Sequence, residues 1–232
     1  MTPWLDPEEW TALLLSLRVS LVATLASLPL ALLSAQALAR WRFPGRGLLN
    51  VLIHMPLVMP PVVTGYLLLV TFGTRGPIGM LLQDCCGIVF AFRWTGAALA
   101  AGVMAFPLMV RPIWLSIEAV AIHLEESAAD LGARPLWVFL TVTLPLALPG
   151  LVAGAVLGFA RAMGEFGATI TFVSSIPGET QTLPSAIHAF LQVPGGERAA
   201  IRLVLVSIAV SGAAIVLSEV LGRAVAGRVT GR

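Results

Sequence analysis

The sequence predicts an all-α integral membrane protein with about five spanning helices, and six if one mixed segment also crosses. Three observations carry that expectation. First, 58% of the 232 residues are hydrophobic and only 11% are charged, with a mean hydropathy of +0.93. Soluble domains run at roughly 45–50% apolar and about 25% charged, and a soluble surface of this size has no place for the excess. Second, the apolar residues gather into stretches near the roughly 20 residues that a spanning helix needs. Third, the arginines sit mostly between those stretches, as spans with charged flanks require.

In chain order, the first eleven residues carry Asp6, Glu8 and Glu9 and no basic residue. That is the opposite of a cleavable signal peptide, so residues 1–11 are expected to remain as a short outer N-terminal segment. Residues 12–220 form the membrane domain. Its first span is Leu13 to Ala39, interrupted only by Arg18 and followed by the basic loop Arg40, Arg42, Pro44 and Arg46. The second is Leu48 to Phe72, with His54 as its one titratable group. Gly73 to Trp94 is broken by glycines and reads as a loop with a short interfacial helix. The third span is Thr95 to Ala119, and a polar helical segment, Ile122 to Pro135, follows it. The fourth runs from Trp137 to Met163. Gly164 to Ala199 mixes glycine, proline and apolar residues, and a re-entrant or surface piece suits it better than a sixth crossing. The fifth span is Ile201 to Leu221, leaving residues 221–232 as an Arg-dotted tail.

With the N-terminus outside, the inner segments hold Arg40, Arg42, Arg46, Arg134, Arg223, Arg228 and Arg232, and the outer ones only Arg75, Arg93 and Arg198. This asymmetry places the C-terminus in the cytoplasm. Prolines concentrate in the spans: Pro56, Pro60 and Pro61, then Pro107 and Pro112, then Pro145 and Pro149. Each removes a backbone donor. The freed carbonyls need neighbouring helices or a watered cavity, so these spans are either simply kinked or line a pathway.

Several chemistries are excluded. All 14 basic residues are arginine, so the chain has neither the lysine of a phosphate-binding Walker A loop nor a Schiff-base lysine. His54, His123 and His188 lack metal-ligand spacing, no nucleophile or paired-carboxylate motif stands out, and no catalytic or metal site is expected. Cys85 and Cys86 read as small apolar fillers. Arg18 is expected to snorkel to the outer interface, and Arg111 to cap its helix or meet lipid phosphate. A nucleic-acid partner is not expected.

The stretch Glu125 to Gly150, EESAADLGARPLWVFLTVTLPLALPG, is the most informative. Glu125, Glu126 and Asp130 lie in a short helix that Gly132 can cap and Pro135 ends. Glu126, Ser127, Ala128, Gly132, Val142, Leu144 and Pro145 keep the spacing of the EAA motif, with Ser127 replacing Ala and Val142 replacing Ile. The chain thereby resembles the permeases of binding-protein-dependent ABC importers over roughly residues 12 to 220. That resemblance implies a type I ABC importer transmembrane fold with a cytoplasmic coupling helix, and coupling residues Glu126, Ser127, Ala128, Gly132, Leu144 and Pro145. It also implies a permease dimer, a separate ABC ATP-binding subunit holding the ATP, and no cofactor on this chain.

Gly164 to Ala168, Gly-Glu-Phe-Gly-Ala, is similar to permeases for tetrahedral oxyanions. The continuation Thr169, Ile176-Pro177-Gly178 and Thr180 to Pro184, together with Met55 to Val63 and Gly65-Tyr66, resembles the molybdate branch. It implies import of molybdate, or of tungstate with its nearly identical size and charge, across a bacterial inner membrane, and a periplasmic molybdate-binding protein as donor. Sulfate or thiosulfate is the runner-up. A secondary transporter is the weaker alternative, because internal repeats and midplane carboxylates are not evident. Candidate path residues are Thr64, Arg161, Gly164, Glu165, Gly167 and Thr169. Hydroxyls and glycine backbone suit an anion. Arg161 and Glu165, four residues apart, suit a structural ion pair.

Overall fold

The computed structural model describes residues 4–229, and all of its regular structure there is helical. The first helix, α1 (Pro7–Arg40), starts inside the expected N-terminal segment, because Asp6 and Glu9 form a capping box and Pro7 sits in the first turn. At about 1.5 Å per residue, its 34 residues are more than enough to cross a bilayer. α5 (Trp94–Glu118) corresponds to the third expected span. The fourth is a continuous rod made of α7 (Pro135–Val138), a π-helical turn (Phe139–Thr143) and α8 (Leu144–Met163). The π turn lies just before Pro145, where the missing proline N–H disturbs the α-helical ladder. The Leu144 N–H bonds to the carbonyl of Phe139 instead.

The second expected span is corrected. It is two helices, α2 (Arg46–Val58) and α3 (Pro61–Phe72), bent by 115°. Pro60 and Pro61 follow each other, and Met59 is pushed into extended backbone as a residue before proline tends to be. Among the described residues, three helices are long and apolar enough to cross a membrane, and the bent pair makes up to four. The fifth expected span lies on α11 (Glu197–Val229). This helix continues past Leu221 through most of the expected tail, and residues 230–232 fall outside the described residues. No sixth crossing forms in the mixed segment: α9 (Gly167–Val173) and α10 (Leu183–Leu191) have seven and nine residues, about 10 and 14 Å. The short α4 (Pro77–Cys86) matches the expected loop helix, but Cys85 and Cys86 are exposed rather than packed.

α5 is the central post. One end of it joins α1, α3 and α9 in a cluster that includes Val19, Ala101, Met104 and Phe172. The other joins α1, α2 and α8 around Leu38, Met109, Ile113 and Ala147. A third cluster ties α1 to α10 and α11 through Leu13, Leu183 and Leu203. Gly150, Gly154 and Gly158 line one face of α8 against α5. A Cβ at Gly154 would lie 2.8 Å from the Met109 carbonyl oxygen, and Cβ atoms at Gly150 and Gly158 would run into Ser116 and Met109. In lipid, helices associate by such close packing of small residues rather than by escaping water.

Candidate functional site

Two regions carry the residues singled out in the sequence. The first is the polar helix α6 (Ile122–Asp130), which follows α5 at the end of the molecule where α1 finishes. It ends in a Schellman arrangement: the Ala133 N–H bonds to the Ala128 carbonyl at 3.1 Å and the Gly132 N–H to Ala129 at 2.8 Å. Gly132 takes φ +89°, a backbone that disfavours any side chain. Glu126, Ser127 and Gly132 are exposed and Ala128 is half-buried, so these four share an accessible helix and its cap. Leu144 and Pro145 are elsewhere, half-buried in the fourth crossing just past the π turn. Leu131, 91% exposed, and the exposed Leu136 and Trp137 give this end a concentration of uncovered apolar side chains.

The second region is the junction of α3, α8 and α9. Arg161, in the last turn of α8, pairs with Glu165 at 2.6 Å, and the Glu165 side chain is 1% exposed. The other carboxylate oxygen accepts the Ala168 N–H at 2.8 Å in the first turn of α9. Glu165 is therefore an internal brace that ties Arg161 to a helix start. Thr169 is buried and spends its hydroxyl on the carbonyls of Phe166 and Glu165. Gly164 is exposed. Gly167 touches Pro61, where a Cβ would lie 2.7 Å from the proline Cβ, and Gly65 lies against the backbone of Ala168. The break after α2 is thus docked onto α9. Thr64, one residue from that contact, is buried and its hydroxyl has no hydrogen-bond partner. Of the six candidate path residues, Arg161 and Glu165 are bonded to each other, and Thr64 and Gly167 lie on the two helices of the α3–α9 contact.

Arg18, expected to snorkel to the outer interface, places its guanidinium 3.8 Å from the ring centre of Trp94 at the start of α5. Together with Arg93, Phe92 and Glu179 it lines a cavity of about 700 Å3 at the end opposite α6. Arg111 stacks over Trp114 at 4.9 Å. Among the described residues, no three His, Cys, Asp or Glu side chains are grouped to hold a metal ion.

Two charged clusters were missed by sequence reasoning. Glu9, fully buried, receives Arg202 of α11 on both oxygens, at 2.6 and 3.0 Å to one of them, and Arg202 also reaches Asp6. At the other end, Glu125 meets Arg40 and Thr143. Both join residues far apart in the chain, so no local spacing announces them.

The architecture now has a counterpart in sequence. Residues 27–231 match the family described as "Binding-protein-dependent transport system inner membrane component". The chain belongs to this family. A relative within it, the molybdenum transport system permease protein ModB of Escherichia coli (strain K12), is 57% identical over 218 residues, covering 94% of this chain and 95% of that protein. The protein of the same name in Haemophilus influenzae is 54% identical over 215 residues, covering 93% and 94%. Among solved structures, a bacterial ABC transporter involved in the import of alginate superposes with a TM-score of 0.72 at 16% identity, over 96% of this chain and 85% of that one. The fold is therefore that of a type I ABC importer transmembrane subunit.

Proposed function

We propose that this chain is the membrane-spanning permease subunit of an ATP-driven importer for molybdate, with tungstate as an equivalent cargo. The observation that carries this reading is the high identity, over nearly the whole of both chains, to permeases named for molybdenum transport. The subunit is non-catalytic. ATP is hydrolysed by a partner ABC subunit, a periplasmic molybdate-binding protein delivers the anion, and two copies of the permease enclose the path.

α6 is the coupling helix. Its exposed face, with Glu126, Ser127 and Ala128, and the Gly132 cap dock into the ATP-binding subunit, while Leu144 and Pro145 shape the crossing that responds. The end bearing α6 also carries Arg40, Arg42, Arg46 and Arg134, which supports placing it in the cytoplasm and the N-terminus in the periplasm. ATP binding closes the two ATPases and turns the path outward, and hydrolysis returns it inward. Along the path, the unpartnered hydroxyl of Thr64 offers a donor to a tetrahedral dianion, and Gly164 and Gly167 leave the backbone there without side chains, so an anion can approach it closely. Arg161, Glu165 and Thr169 hold the α8–α9 corner in shape. The test is ATP-dependent uptake of labelled molybdate by vesicles holding the permease, the ATP-binding subunit and the binding protein. Vesicles that hydrolyse ATP without taking up molybdate contradict the proposal.

A further inference from the structure

None of the residues of α6 is buried, so no apolar core fixes this helix against the bundle. Beneath it runs a cleft of about 310 Å3, lined among others by Gln36, Arg40, Glu125, Phe139 and Thr143. One set of polar contacts crosses that cleft. The Glu125 carboxylate lies 3.0 and 3.2 Å from the Arg40 Nε at the end of α1. The same carboxylate accepts a hydrogen bond from the Thr143 hydroxyl at 2.7 Å. The Arg40 guanidinium also donates to the Val120 carbonyl at 2.7 Å, in the bend between α5 and α6. Arg40 and Glu125 are each 15% exposed and Thr143 is 1% exposed, so water competes little for these bonds. The neighbouring pair Arg46–Glu118, at 3.9 Å and well exposed, contributes little by comparison.

We infer that Arg40, Glu125 and Thr143 form the rigid joint through which α6 moves the membrane-spanning helices. The three are positioning residues, and the inference rests on the proposed role of α6 as the docking helix. A helix without a buried face transmits a push only through its covalent links and its polar ties. Here one carboxylate ties α6 to two crossings at once, α1 through Arg40 and the fourth through Thr143. Thr143 ends the π turn, a segment whose wider hydrogen-bond register marks a place where a helix can shift. Arg40 is suited to the joint because its planar fork serves Glu125 and Val120 in different directions, which an ammonium on a flexible stem does poorly.

The test uses two readouts. A spin label at Leu131→Cys, in permease with Cys85 and Cys86 replaced by serine, reports the mobility of α6 without any partner. Glu125→Gln, Arg40→Lys and Thr143→Val are expected to loosen the label, and Thr143→Ser to leave it ordered. In the assembled transporter, uptake per ATP hydrolysed is expected to fall about tenfold in Glu125→Gln and in Thr143→Val, and to be recovered in Thr143→Ser. Thr143→Val and Thr143→Ser keep the test decisive if the charged variants fold poorly, since Thr and Val are nearly the same size. A label equally ordered in all variants overturns the joint, and so does a loosened label with unchanged uptake per ATP. Failure of the Leu131→Cys side chain to cross-link to the ATP-binding subunit in otherwise unaltered transporter would overturn the docking role of α6 instead. The mobility readout still judges the joint in that case.

Discussion

Gly132 and Thr64 let the proposed docking and path roles be tested one residue at a time. Gly132 ends α6 with φ +89°, and a β-branched side chain there is strained by roughly 1–2 kcal/mol. Gly132→Val is expected to unwind the end of α6, and co-purification of the ATP-binding subunit should fall with it. Undiminished co-purification would remove Gly132 from the docking surface. Thr64 tests the path. If its free hydroxyl meets the passing anion, Thr64→Val should lower molybdate uptake by about tenfold, the scale of a hydrogen bond to a charged group, with the complex still assembled. Unchanged uptake would place the hydroxyl off the path. The Arg161–Glu165 pair was legible from its four-residue spacing, although Glu165 lies just past the end of α8 rather than on it. Glu125 was not, because its partners stand 85 and 18 residues away, and only the finished packing of α1, α6 and the π turn brings them together.

At the scale of elements, proline and glycine set the architecture by what they remove. Pro60 and Pro61 were plain in the sequence as a weak point in an apolar run. The 115° bend was not, because its size depends on where α3 lands, and that is set by the close fit of Gly65 and Gly167 against α9 and α3. The glycines at 150, 154 and 158 repeat every fourth residue, a signal present in the sequence and passed over there. They let α8 lie against α5 at backbone distance. Gly154→Leu is expected to force the two helices apart. Such overpacking destabilises by about 1–3 kcal/mol or more, read as a lower midpoint of thermal unfolding in detergent. Leu157→Ala, on an exposed face of the same helix, should leave the midpoint nearly unchanged. Equal effects from both would deny α8 its close contact with α5.

For the whole molecule, charge is sorted by depth. Asp6, Glu9 and Arg202 knit α1 to α11 at one end, and Arg40 with Glu125 knits α1 to α6 at the other. α5 runs between these two ends through a core of alanine and methionine. Most of this plan was visible in composition and in the EAA spacing: the membrane class, the long apolar helices and the exposed connector. The count of crossings was less so, because hydropathy sees a continuous apolar stretch where backbone geometry makes a broken one. This bundle is proposed to carry an oxyanion under the drive of a separate ATPase. The measurement that tests it most directly is uptake of labelled molybdate, with excess sulfate as competitor, by vesicles holding the three components. Uptake is expected to require ATP and to persist in excess sulfate. Sulfate uptake in its place, or no ATP-dependent uptake by a complex that assembles and hydrolyses ATP, would contradict it.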